Sequence, residues 1–108
     1  MEKMTIEEMM ERQIVLQEKY REKWGGLYPE KAIMMMLWMM AEAGEAAQII
    51  KKKGSDAILE AGEVRDDFVE EMCDVLMYFN DVLLCFGITP EEFAEIYRKK
   101  NERNMNRW

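Results

Sequence analysis

Histidine does not occur in this chain of 108 residues. Its absence removes the commonest general base, the Ser-His and Cys-His nucleophile pairs, and nearly every zinc geometry. Cysteine is scarce, with only Cys73 and Cys85. On a single helix, twelve residues of rise would place them about 18 Å apart, beyond disulfide reach. Two free thiols fit a reducing cytoplasm. The longest unbroken apolar run, Ala32 to Ala41, has ten residues; a bilayer span needs about twenty, so no transmembrane helix and no membrane partner are expected. The N-terminus, with Glu2, Glu7 and Glu8, does not resemble a secretory signal. Basic charge is also short: fifteen Lys and Arg against twenty-two acids give a net charge of −7. That balance gives no electrostatic case for coating a nucleic acid polymer.

What the chain does contain is a globular balance of 49% apolar and 34% charged residues. A single domain over 1–108 should bury roughly two-thirds of its unfolded surface. The two prolines and most of the six glycines fall where helices should begin or end. Thr5 with Glu8 three residues on is a capping-box pattern opening a first helix, with a loose apolar stripe of Ile6, Met9, Met10, Ile14, Leu16 and Tyr20. Gly25 and Gly26 stop it. Pro29 starts a second helix, from about Glu30 to Lys53, ended by Gly54. A short helical turn is expected around Ala57 to Ala61. A third helix is expected from Asp66 or Asp67 to Phe86, closed by Gly87. Thr89-Pro90-Glu91-Glu92 then starts a fourth, running to about Asn104. No segment alternates with period two, so the fold class is all-α, a bundle of four main helices.

Ala32 to Ala41 is apolar on every face, including Met34, Met35, Met36, Met39 and Met40. A surface helix keeps a polar side, so this stretch is expected to be buried all round. In so small a protein, complete encirclement requires helices from another chain, and homo-oligomerisation is expected. Trp38 falls in this stretch and reads as core.

Just past it comes Glu42-Ala43-Gly44-Glu45, and Glu71-Met72-Cys73-Asp74 follows on the third helix. Three residues apart is about 60° of helical rotation, so each pair shares a face. The acidic residues Glu7, Glu8, Glu11, Glu18 and Glu22 read differently, as the wet face of the first helix. Both site pairs are set in the most apolar parts of the chain, where each unpaired ionised carboxylate costs several kcal/mol. Either most of the four are protonated or paired, or a divalent cation holds them. Carboxylate-only ligation favours hard cations, Mg²⁺ or Mn²⁺. Cys73, between two acids, reads as a small packing residue. The C-terminus supplies the opposite charge: Arg98, Lys99, Lys100, Arg103 and Arg107 lie within the last eleven positions. Such cations suit a helix C-terminus, and some of them could also clamp phosphate oxygens.

The order Glu42-x-x-Glu45, twenty-five residues, Glu71-x-x-Asp74-Val75-Leu76, then Lys100-Asn101-x-Arg103 and Asn104-x-x-Arg107-Trp108, resembles the MazG-like all-α nucleoside triphosphate pyrophosphohydrolases. The similarity runs from about Trp24 to the end. It implies a helical bundle working as a homodimer or tetramer. It further implies Mg²⁺ bound by Glu42, Glu45, Glu71 and Asp74, and phosphate contacts from Lys100 and Asn104, with Arg103 and Arg107 beside them. The implied reaction is hydrolysis of a (deoxy)nucleoside triphosphate to the monophosphate and pyrophosphate, with Glu45 as general base. Trp24, Tyr28 and Trp38 are candidates for stacking on the nucleobase, with core the stronger reading for Trp38. Two other readings are a phosphoribosyl-ATP pyrophosphohydrolase-like enzyme and a non-catalytic helical module that binds a partner through the methionine-rich helix.

Overall fold

The structure, a computed structural model, describes residues 2–108; Met1, the first residue of the expected domain span, lies outside the described residues. Helix makes up 81% of it, with no strand among the described residues. Helix α1 covers Ile6–Lys19. The Thr5 hydroxyl accepts the Glu8 N–H at 3.1 Å and donates to the Glu8 carboxylate at 3.4 Å, so the box closes through the hydroxyl. Of the expected stripe on α1 only Met10 is fully buried; Ile6 and Ile14 are exposed, and Gln13 is buried instead. The reason is that α1 rests on the fifth helix along a polar line, described below. A four-residue helix, α2 (Arg21–Trp24), ends at Gly25, whose φ of 85° only glycine adopts without strain.

Pro29 opens a 3₁₀ turn, Pro29–Lys31, that runs directly into α3, Ala32–Lys53. Helix α4 is Ser55–Leu59, two residues earlier than the expected turn, and α5 is Glu63–Cys85. Helix α5 begins three residues before the expected Asp66 because Gly62, at φ 154°, serves as its N-cap, with Glu63 and Asp66 at the positive end of the helix dipole. Arg65 donates to the Ile58 carbonyl at 2.8 Å, tying the end of α4 to the first turn of α5. Helix α5 closes with paired bonds from Gly87 N–H to Leu84 O and from Ile88 N–H to Leu83 O, a Schellman motif. Helix α6, Pro90–Met105, starts on the Thr89 hydroxyl, which accepts the Glu92 N–H at 3.1 Å. Its axis turns 108° away from that of α5.

The central pair is α3 against α5, with α1 laid across α5 and α6 leaning on α1. Ala32, Met35 and Cys85 form the buried core, packed by Leu27, Tyr78 and Val82. Phe79 meets Phe93 edge-on at 5.3 Å, linking α5 to α6.

This is an open arrangement. The radius of gyration is 16.2 Å, against about 13 Å for a compact chain of this length. The accessible surface is 8633 Å², against about 6,300 Å² for a compact 12.9 kDa monomer. The apolar run of α3 accounts for much of the difference. Within one chain only Ala32 and Met35 of that run are buried, whereas Ile33, Leu37 and Met40 are 67%, 52% and 61% exposed. These three recur at i, i+4 and i+7 and form one apolar stripe facing outward. Pro29–Lys53 is also long and apolar enough to cross a membrane by length and composition alone, which the ten-residue run did not suggest. Glu42 and Glu45 fall in the middle of that helix, where a bilayer would be least tolerant of them.

Candidate metal centre and adjoining cleft

Helices α3 and α5 bring three of the four proposed ligands together. One carboxylate oxygen each from Glu42, Glu45 and Glu71 lies within 4.8 Å of the other two. The helical spacing of Glu42 and Glu45 puts both on the side of α3 that meets α5, and Glu71 projects from α5 to meet them. None of these acids pairs with a Lys or Arg among the described residues; the ion pairs are Arg21–Glu18, Arg98–Glu95 and Lys99–Glu95, all exposed. The Glu71 carboxyl is pushed up to about 7, first by hydrogen bonding with the Glu42 carboxyl, then by burial and the negative charges of Glu45 and Glu42. Its Oε2 is sealed from solvent and has no hydrogen-bond partner.

An orphaned oxygen among three uncompensated carboxylates is a donor set that fits a hard divalent cation: all oxygen, anionic, half-buried and open on one side. Asp74 does not join this cluster. One turn of α5 beyond Glu71, it lines the neighbouring cleft instead, where Glu42 also reaches. Glu42 therefore belongs to both the acid cluster and the cleft. Cys73 is exposed rather than packed, and neither cysteine is bonded.

The cleft has a volume of about 550 Å³ and lies between α1, α3 and α5. Trp24 and Trp38 supply aromatic walls, with Tyr78 6.0 Å from Trp38 between ring centroids. Trp38 is thus not core, as its apolar neighbours suggested, but 44% exposed and turned to the cleft. Tyr28 is exposed and does not line the cleft; its ring lies 6.0 Å from the Lys31 ammonium. The Tyr78 hydroxyl is pushed above its ordinary pKa by burial and by the charges of Glu42, Asp81 and Asp74.

Sequence reasoning missed the polar floor of this cleft. Asp81 is 2% exposed, and Gln17 donates to its Oδ2 at 3.2 Å. Burial pushes Asp81 up to about 6, opposed by the Gln13 and Gln17 amides and by the positive charge of Lys31. Lys31 itself donates to the carbonyls of Trp24 and Gly26, pinning the end of α2 that carries Trp24 and the glycine turn after it. The signal was present: Asp74 and Asp81 are two turns apart on α5, Gln13 and Gln17 one turn apart on α1, so each pair shares a face.

The basic C-terminal residues are not brought to the acids within one chain. No α6 side chain lines the cleft. Lys100, Arg103 and Arg107 are exposed and Asn104 is half-buried, because the 108° turn after α5 carries α6 away. The Arg107 guanidinium stacks on Trp108 at 5.1 Å. The cations that do line the cleft are Lys23 and Lys31.

Compared with known proteins, the chain matches no family model, no curated protein and no solved structure.

Proposed function

We propose that this chain is a divalent-cation-dependent nucleoside triphosphate pyrophosphohydrolase of the MazG-like type, acting as a homo-oligomer. The observation that carries the reading is the convergence of Glu42, Glu45 and Glu71, with no basic partner, beside a cleft walled by tryptophan. Glu42, Glu45 and Glu71 would hold Mg²⁺ or Mn²⁺, with Asp74 in the adjoining cleft. Such an ion neutralises phosphate oxygens and lowers the pKa of a bound water.

The chain's own residues have three tasks. Glu45, exposed and one turn from Glu42, takes the proton from the attacking water and passes it to solvent. The water oxygen bonds to the α-phosphorus as the bridging α–β P–O bond breaks. Monophosphate and pyrophosphate result. Trp24 and Trp38 hold the base, which sets the α-phosphorus beside the acids. Lys23 is available to the phosphates from the cleft rim.

Two features support the homo-oligomer. The surface in excess of a compact monomer is of the size that obligate dimers bury. The outward stripe of α3 is apolar enough to form such an interface. Because α6 lies away from its own cleft, Lys100, Arg103, Asn104 and Arg107 in this reading serve the cleft of a second copy.

The test is product analysis. A panel of ribo- and deoxyribonucleoside triphosphates with Mg²⁺ or Mn²⁺ should release pyrophosphate, and chelator should stop it. Release of single orthophosphates would mean that a different bond is cut and the reading is wrong.

A further inference from the structure

The floor of the cleft carries information about the ligand that the acid cluster does not. Two of its side chains end in buried oxygens with no hydrogen-bond partner: Asp81 Oδ1 and Gln17 Oε1. Both side chains line the cleft. The 3.2 Å bond from Gln17 Nε2 to Asp81 Oδ2 fixes which way the amide points, because a carboxylate can only be met by the NH₂ end. The amide carbonyl is therefore the end left free, beside the free carboxylate oxygen. Both oxygens are left without a hydrogen-bond partner, although the Gln13 amide, which also lines the cleft, acts on the same Asp81 carboxyl. Buried acceptors left in this state cost free energy until a donor reaches them.

The only cation near enough to act on Asp81 from the cleft wall, Lys31, is engaged by the Trp24 and Gly26 carbonyls. A ligand seated in the cleft can supply the missing donors. The walls above this floor are the indole rings of Trp24 and Trp38 and the phenol of Tyr78, surfaces that take a flat heterocycle by stacking. A planar ring stacked on one of these faces turns its edge toward the floor.

We infer that the cleft selects nucleobases that carry an exocyclic amino group, with Asp81 and Gln17 as the residues that read it. Cytosine, adenine and guanine each bring an amine whose N–H groups can satisfy these acceptors. Uracil and thymine offer a single ring N–H flanked by carbonyls, so one of the two acceptors would be left facing a carbonyl oxygen with no proton between them. The inference rests on the proposed triphosphate chemistry for its setting, but the floor chemistry itself is independent of any phosphate or metal.

The experiment has two arms on the full chain. In the first, kcat/KM for pyrophosphate release with Mg²⁺ is measured for dCTP, dATP, dGTP, dUTP and dTTP. At least one amino-bearing substrate should exceed both dUTP and dTTP by at least tenfold, in keeping with the strong rejection of ligands that leave buried polar groups unpaired. In Asp81→Asn, whose amide can turn a donor to the cleft, that ratio should fall at least fivefold. Gln17→Met, which keeps the volume and removes the carbonyl, should lower it in the same direction if the first variant fails to fold.

In the second arm, binding of the phosphate-free nucleosides cytidine, adenosine, guanosine, uridine and thymidine is followed by tryptophan fluorescence without metal. Tighter binding of an amino-bearing nucleoside supports the inference even if no triphosphate is cleaved, an outcome that would sink only the hydrolase reading. Equal kcat/KM across the panel, or a preference for uracil or thymine in either arm, overturns the inference and leaves the hydrolase reading standing.

Discussion

A carboxylate oxygen of Glu71 on α5 lies within 4.8 Å of one of Glu42 on α3, and hydrogen bonding with Glu42 is the first of the causes, ahead of burial and the charges of Glu45 and Glu42, that hold Glu71 at about 7. Both carboxylates can be ionised together only at a cost, and that cost has a sign that can be measured. The unfolded chain releases the Glu71 proton near its ordinary value of 4.5, whereas the folded chain keeps it to about 7. Between those values the folded state binds more protons, so this group makes stability fall as pH rises. Asp81, raised from 3.8 to about 6, acts in the same direction over a lower window. In chelator, Tm should decline from pH 5 to pH 7.5. A rising or flat Tm over that window would mean that these acids do not face one another as described.

A divalent cation removes the reason for the decline. Bound among Glu42, Glu45 and Glu71, it favours the ionised forms, so its binding releases a proton and strengthens with pH. Metal at a hundred times its Kd stabilises by about 2.7 kcal/mol, a Tm rise on the order of 10 °C. The rise should be larger at pH 7.5 than at pH 5.5, and Glu45→Gln should abolish most of it. Thermal melts with and without Mg²⁺ at the two pH values decide this. An identical melt in chelator and in millimolar Mg²⁺ would favour a non-catalytic helical module, which needs no ion.

Further along α5, Gln17 ties α1 down through Asp81 where an apolar contact was expected. Gln17→Ala removes a charge-assisted bond from a carboxylate that stays buried, and should cost about 1.5–3 kcal/mol. Ile14→Ala, one turn away but half exposed, should cost well under that. Urea unfolding of the two variants, at unchanged m-value, tests whether α1 is held by its polar line or by its apolar one.

The parts of the fold that were legible in the sequence are those set by local chemistry. Thr5, Pro29, Gly54, Gly87 and Thr89 each act through a cap or a dihedral preference needing only a few neighbours, and the helix ends they mark lie where expected or close by. Gly62 was missed because Asp66 and Asp67 also make good starting residues, and only packing against α4 decides between them. Glu42, Glu45 and Glu71 were legible because helical spacing fixes which residues share a face. Asp74 obeys the same spacing rule, yet it is carried past the cluster into the cleft. Which acids meet across two helices depends on crossing geometry, and one chain's sequence does not encode that in any short pattern. Trp38 was misread for the opposite reason: an all-apolar neighbourhood says that a face will be covered, not by what.

The separation of Lys100 and Arg103 from the acids of the same chain makes the oligomer testable through function. Ile33, Leu37 and Met40 form the exposed stripe, so Leu37→Lys should place a charge in the centre of any self-interface. The unmodified chain should sediment as a dimer or tetramer, and Leu37→Lys as a species near 12.9 kDa. Activity should be lost with association, although Leu37 touches neither the acid cluster nor the cleft. Mixing makes the point more sharply. Glu45→Gln and Lys100→Ala should each be inactive as pure proteins, the first for want of a carboxylate and the second for want of a phosphate contact. In a symmetric dimer whose cleft takes α6 from its neighbour, a mixed dimer contains one site with both groups intact. Unfolding and refolding the two variants together should then restore about a quarter of wild-type activity, since half the dimers are mixed and each has one sound site. If each cleft used its own α6, no mixture could restore activity.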